Sequence, residues 1–294
     1  MDKNAASDEE LVAGLEHLLD VSPVENNQFL GARKPGGVGR VFGGQVIAQA
    51  LGSAIKTVKS DKLVHSLHAY FMRGGDEDHP IDYEVAADFD GRSFSNRRVV
   101  AIQNDKPILN LVASFQRSEG GLAHQVDMPD VPPPEKIEDQ RSYILARRDE
   151  LTSEQLRIMT RPNALEFRAV GSPLFLREKQ NPPEHYMWFR TRAKVQGDQS
   201  MHRTILAYAT DYGLMATSLL PHDRPTMGAG IQTASLDHAL WFHEDVAVDD
   251  WLLYAMDSPW SGHARGISHG KIFNRDGRLV ASCSQEGLIR VNEQ

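Results

Sequence analysis

A helical segment followed by four strand-like runs occurs twice along this 294-residue chain. A chain that writes one unit twice must bury the same apolar faces twice, so its stable forms let two similar layers share or abut a core. In the first copy Gln45 to Val58 reads as a helix rich in Ala, Leu, Ile and Val with no acidic residue, the mark of a buried helix. Four strand-like runs follow it: Val64 to Met72, Ile81 to Ala87, Phe94 to Ile102 and Ile108 to Phe115. Gly74-Gly75, Asp90-Gly91 and Asn104-Asp105 punctuate them, which suits an antiparallel meander. The second copy has a helix at His202 to Ser218. Its strand-like runs are Ile231 to Phe242, Trp251 to Met256, Ala264 to Phe273 and Leu279 to Val291, with Asp276-Gly277 as a hairpin turn. Short residue matches support the duplication. Ser66-Leu67-His68-Ala69-Tyr70-Phe71 aligns with the stretch from Ser235 to Phe242, and Val112-Ala113-Ser114 with Val280-Ala281-Ser282. Ser66 to Ser114 spans 48 residues and Ser235 to Ser282 spans 47.

Outside the two copies the pattern is looser. Ser7 and Glu10 have capping-box spacing ahead of Leu11, Leu15, Leu18 and Leu19, which predicts a short N-terminal helix. A Gly- and Pro-rich loop runs from Gly31 to Gly39. Met128 to Glu135 and Asn181-Pro182-Pro183 break regular structure. Tyr186 to Val195 reads as a further strand. The expected division is an N-terminal unit at 1–117, a linker with helical decoration at 118–183, and a C-terminal unit at 184–294.

Charge and cysteine content limit the function classes. Lys plus Arg number 32 against 40 for Asp plus Glu, a net charge of −8 that argues against general nucleic-acid binding. One cysteine, Cys283, allows no internal disulfide and no cysteine-based zinc cage. No apolar run approaches the roughly 18 residues of a membrane helix, and neither end carries a readable address. A cytoplasmic protein without membrane insertion is expected.

The copies differ in one chemically important respect. Asp211 lies near the middle of the second helix pattern, with Ala207, Tyr208, Leu214 and Met215 as helical neighbours. A carboxylate on such an apolar face needs hydrogen-bond partners. By itself that fits a structural ion pair as well as a catalytic acid or base. His238 and His243, like His65 and His68, are not metal pairs, because their spacing puts each pair on opposite faces of a strand. Gly266-Ile267-Ser268-His269-Gly270 spells G-x-S-x-G. The strand-turn-helix setting of a hydrolase elbow is missing there, and the only histidine after Ser268 is the adjacent His269. No phosphate-cradling glycine motif is present.

The ordered motifs resemble a known family. Val41-Phe42-Gly43-Gly44-Gln45-Val46, Val64-His65-Ser66 and Ser93-Phe94-Ser95 with Arg97-Arg98-Val99 carry the likeness in the first half. Leu206-Ala207-Tyr208 with Asp211, Gly230-Ile231-Gln232, Asp237-His238, Trp241-Phe242-His243, and Ser284-Gln285-Glu286-Gly287 with Arg290 carry it in the second. Together they look like the type II acyl-CoA thioesterases, over nearly the whole chain. The resemblance implies an α+β double hotdog, in which each unit is a central helix wrapped by an antiparallel sheet. It implies hydrolysis of medium- to long-chain acyl-CoA to fatty acid and CoA by activated water, without a cofactor or metal. The family's trio falls on Asp211, Ser235 and Gln285. Many relatives have Thr at the hydroxyl position, and Thr233, on the same face of a regular strand, is the rival to Ser235. Gly43-Gly44 is the candidate oxyanion site. Arg92, Arg97 and Arg98 are candidates for the CoA phosphates, or else a solvated charged face. A homodimer or higher oligomer is expected. The alternative function is a non-catalytic acyl-CoA-binding or scaffold protein on the same fold.

Overall fold

The computed structural model describes residues 6–33, 39–176, 180–222 and 230–291. Residues 34–38 of the expected loop, and the first five and last three residues of the chain, lie outside that description.

The chain begins with α1 (Asp8–Leu19). Ser7 and Glu10 close the expected box: Ser7 Oγ accepts from the Glu10 N–H at 3.2 Å, and the Glu10 carboxylate accepts from the Ser7 N–H at 2.8 Å. Val12, Leu15, Leu18 and Leu19 are its buried face. Short β1 (Ser22–Pro23) and β2 (Gln28–Gly31) lead to α2 (Gly43–Ile55). Both glutamines of α2 are buried. Gln49 is satisfied by donating to Leu18 O at 2.6 Å and accepting from Tyr83 Oη at 2.8 Å. Then come β3 (Leu63–Phe71), β4 (Ile81–Asp90), β5 (Phe94–Gln103) and β6 (Lys106–Gln116). The stretch 118–183 holds α3 (Gln140–Ala146), α4 (Ser153–Met159) and also a strand, β7 (Leu165–Ala169). After it come β8 (Glu184–Thr191), α5 (Gln199–Ala209), α6 (Leu214–Thr217), β9 (Ile231–Ser235), β10 (Asp237–Phe242), β11 (Leu252–Gly262), β12 (Arg265–Asn274) and β13 (Leu279–Val291).

The strands form one antiparallel sheet in the order β1-β2-β4-β5-β6-β3-β10-β13-β12-β11-β8-β7, with β9 on β13. Strand β3 joins β10 at its centre, with Leu67 opposite Leu240. The α2 and α5 helices pack against each other, one from each copy, and their buried faces enter a common apolar cluster with both halves of the sheet. That is the tandem helix-in-sheet arrangement expected of the fold.

Two sequence expectations change. The predicted helix His202–Ser218 is interrupted. Asp198 caps α5 by accepting from the Ser200 N–H at 2.8 Å, but α5 stops at Ala209. Gly213 then takes φ +80°, a left-handed conformation that ends the turn and redirects α6. Asp211 therefore sits at a break between helices rather than within one.

The second change concerns the register of the duplication. In the first half the β3–β6 pairing shifts by one residue between Val64, opposite Phe115, and Ser66, opposite Ser114. In the second half the same one-residue bulge lies between Ser235, opposite Gly287, and Ala239, opposite Ser284. Matching bulge to bulge makes Val64, not Ser66, the counterpart of Ser235. Ala113, two residues before Phe115, is then the counterpart of Gln285, two before Gly287. The short matches misplace the register because they compare residue types, whereas a bulge changes which residues face inward.

Candidate active site

Three elements of the second half and one of the first converge. The break after α5 frees the Asp211 side chain to face the first turn of α2. The Gly44 N–H donates to Asp211 Oδ2 at 2.8 Å, and Gln285 Nε2 on β13 donates to Asp211 Oδ1 at 2.7 Å. The same Gln285 Nε2 donates to Ser235 Oγ at 3.1 Å. Gln285 is buried while Asp211 and Ser235 are half-buried, so the carboxylate and the hydroxyl stay within reach of a substrate. Asp211, Ser235, Gln285 and Gly44 are thus brought together.

The bulge explains why Ser235 takes part. Side chains alternate along a regular strand. Inward-facing His238, Leu240 and Phe242 are even-numbered, and the extra residue lets odd-numbered Ser235 face inward as well. Asp237 holds the bulge. Its Oδ1 accepts from the Glu286 N–H at 2.7 Å, while Leu236 N–H donates to Glu286 O and Leu236 O accepts from the Phe71 N–H. Burial, with the Glu286 charge nearby, raises the Asp237 pKa, although the Glu286 N–H bond pulls the other way. Thr233, the rival hydroxyl, lies opposite Ile289, two residues further from the bulge.

The glycines are required by close packing. A Cβ on Gly44 would lie 2.4 Å from Tyr208 O and 3.1 Å from Asp211 Cβ, and one on Gly43 would lie 2.8 Å from Asp211 Oδ2 and 3.0 Å from Phe71 Cζ. Beside them Phe42 packs against Tyr208 and Tyr212, with ring centroids 5.1 and 4.7 Å away. Tyr208 and Tyr212 share a hydroxyl contact at 3.3 Å, and burial raises both phenol pKa values. This aromatic wall, and the role of Asp237 at the bulge, escaped sequence reasoning. Neither carries a spacing signal.

The arginines do not assemble into one group. Arg97 is 3% exposed; its Nε donates to Thr57 Oγ1 at 2.8 Å and its Nη2 to Thr57 O at 3.0 Å and Asp90 Oδ1 at 2.9 Å. It ties the segment after α2 to β4, facing away from a phosphate in solvent. Arg98 points to the other face and pairs with Asp88 at 3.1 Å, and Arg92 is exposed. Adjacent residues of a strand cannot share a face, which corrects the expectation of a joint phosphate site for Arg97 and Arg98.

Ser268 of the G-x-S-x-G sequence is fully buried on β12, and His269 faces the other way to Ser284 Oγ at 2.8 Å. No Ser–His nucleophile pair forms there. His238 is buried with Nε2 3.0 Å from Thr210 Oγ1, while His243 faces outward to Ser282 Oγ at 2.9 Å. Among the described residues no group of three His, Cys, Asp or Glu side chains is placed to hold a metal ion. No helix among them is long and apolar enough to cross a membrane.

A cavity of about 660 Å³ has a mixed lining, with Leu219, Ile231 and Ile289 beside Gln180, His222 and Arg265. It lies along the β9–β13 pair that also carries Ser235 and Gln285.

Known proteins are similar throughout. The model of the acyl-CoA thioesterase N-terminal domain matches residues 32–116, and that of the C-terminal domain residues 130–289. Human acyl-coenzyme A thioesterase 8 is 38% identical, over 94% of this chain and 89% of that protein. Acyl-CoA thioesterase 2 of Haemophilus influenzae is 36% identical, over 97% of this chain and 99% of that one. The solved structure of an acyl-CoA thioesterase II from Mycobacterium marinum aligns with a TM-score of 0.77 at 34% identity, covering 95% of this chain and 98% of that one. A hotdog-fold protein from Alicyclobacillus acidocaldarius aligns at 0.76 with 19% identity, a likeness of fold.

Proposed function

The chain belongs to the acyl-CoA thioesterase family, whose two domain models it matches in order, and on that premise we propose that Asp211, Ser235 and Gln285 carry out its hydrolysis of acyl-CoA. The observation that carries this reading is the single amide Nε2 of Gln285 shared between a carboxylate and a hydroxyl from two other elements. A water held between Asp211 and Ser235 Oγ attacks the thioester carbonyl carbon. Asp211 takes the water's proton as the new C–O bond forms and the carbonyl electron pair moves onto oxygen. Collapse of that intermediate breaks the C–S bond and releases CoA thiolate, which is protonated to the thiol. Gln285 fixes the spacing of base and hydroxyl. Gly44 N–H is engaged with Asp211, so it positions the base, and the reading places the developing oxyanion at the Gly43 end of the α2 N-terminus.

The substrate reading is a medium- to long-chain acyl group. The cavity of about 660 Å³ falls within the roughly 300–1,000 Å³ of small-ligand pockets, and Leu219, Ile231, Ile289 and Val291 offer an acyl chain apolar contact beside the polar Gln180, His222, Ser261 and Arg265. The reading also takes the chain as two hotdog units joined by 118–183, working in the cytoplasm as a homodimer or larger assembly.

Thiol release from a panel of acyl-CoA esters, short to long, tests it. Asp211→Asn should lower kcat by about 10²–10⁴-fold with the fold intact. Near-normal turnover overturns the assignment, and a trapped acyl-enzyme on Ser235 overturns direct attack by water.

A further inference from the structure

Three inward-facing polar side chains lie side by side across the sheet beneath the site. Ser268 on β12 is directly opposite Gln285 on β13. On the other side Ala239 pairs with Ser284, which brings His238 of β10 next to Gln285. All three are nearly or fully buried, at 0%, 1% and 1% exposure for Ser268, Gln285 and His238. Each has a buried atom with no hydrogen-bond partner among the described residues: Ser268 Oγ, Gln285 Oε1 and His238 Nδ1. A buried polar atom without a partner is costly, so three on neighbouring residues mark a shared requirement.

Their chemistry is complementary once the tautomer is assigned. Thr210 Oγ1 gives its proton to Ala207 O at 3.1 Å, so it accepts from His238 Nε2–H at 3.0 Å. His238 Nδ1 is then an acceptor, and burial, despite the opposing pull of the Asp211 charge, lowers its pKa and keeps the ring neutral. Gln285 Oε1 is an acceptor because its Nε2 is turned to Asp211. Ser268 supplies an O–H donor. A single water that donates to Nδ1 and Oε1 and accepts from Ser268 satisfies all three, with the three bonds typical of buried water.

We propose that His238 and Ser268 are positioning residues for Gln285, acting through one buried water that holds its Oε1 and so keeps its Nε2 on Asp211 and Ser235. The proposal rests on the catalytic reading of Gln285 above. It gives Ser268 a role that its G-x-S-x-G setting does not suggest, since the hydroxyl orients an amide and attacks nothing.

A double-mutant cycle tests it on the intact enzyme. Ser268→Ala should lower kcat about tenfold with KM for acyl-CoA little changed, because Ser268 touches no substrate. Ser268→Cys, a weak donor of similar size, should recover part of the loss. In a Gln285→Ala background, Ser268→Ala should cost nothing further. Wild-type kcat in Ser268→Ala, or a full extra loss in the Gln285→Ala background, overturns the positioning role. Near-normal kcat in Gln285→Ala instead overturns the catalytic reading beneath it. His238→Asn should show the same split between kcat and KM. A high-resolution crystal structure should show one ordered water bonded to all three atoms, and its absence overturns the water bridge.

Discussion

Gly44 is the position where one methyl group should separate stability from activity. In Gly44→Ala the new Cβ lies 2.4 Å from Tyr208 O, a backbone atom of α5 that cannot rotate away. An ordinary contact needs roughly 1 Å more, so α2 and α5 must part by about that much. Overpacking of this kind costs about 1–3 kcal/mol, offset by at most about 1 kcal/mol from the better helix propensity of Ala. The displacement also draws the Gly44 N–H from Asp211 Oδ2, and a misplacement of about 1 Å is worth roughly 100-fold in rate. Gly52→Ala is the control. It lies in the same helix, but its Cβ meets Leu19 O at 3.4 Å and Val21 Cγ2 at 3.9 Å, ordinary contacts. It should gain about 0.5–1 kcal/mol and keep full activity. Thiol-release kinetics and thermal unfolding on both variants decide the matter. If Gly44→Ala keeps wild-type kcat and is stabilised like Gly52→Ala, the close approach of the two helices does not position the base.

Other consequences follow from the same geometry. Arg97→Ala leaves the part-buried Thr57 O without its donor, while Asp90 stays solvated, and should cost about 1–3 kcal/mol in denaturant unfolding, whereas exposed Arg98→Ala should cost under about 1 kcal/mol. Neither should raise KM for acyl-CoA more than for a short pantetheine thioester. Burial lowers the His185 pKa to about 4, against 6.5 when unfolded. Stability is therefore full above pH 6.5 and falls as pH drops from there to about 4, by roughly 3 kcal/mol at most. His185→Gln should flatten that part of the pH–stability curve.

The local elements were largely readable because their signals are local. The α1 cap, the acid-free buried α2 and the Asp276-Gly277 turn appear where short-range patterns put them. The break at Gly213 was not readable, since Leu206 to Ser218 keeps a helical pattern of apolar residues and only the left-handed φ reveals the stop. Strand β7 inside 118–183 was missed because a five-residue edge strand has little periodicity. Arg97 looked like a ligand-binding cation because sequence shows charge and not burial. The resemblance pointed to Asp211, Ser235 and Gln285. The residues alone left Ser235 and Thr233 equivalent, because they share a strand face, and only the β9–β13 register puts Ser235 opposite Gly287, within reach of Gln285.

By itself the sequence determined that one unit is written twice and that only the second copy carries an acid at its helix. Both are properties of residue type and spacing along the chain. Tertiary structure alone decided that the first copy supplies the Gly44 N–H to the second copy's Asp211. It also decided that the first copy has Val64 and Ala113 where the second has Ser235 and Gln285. Those facts depend on how closely α2 and α5 pack and on one extra residue in a strand pairing, and neither distance nor register is written in the order of residues.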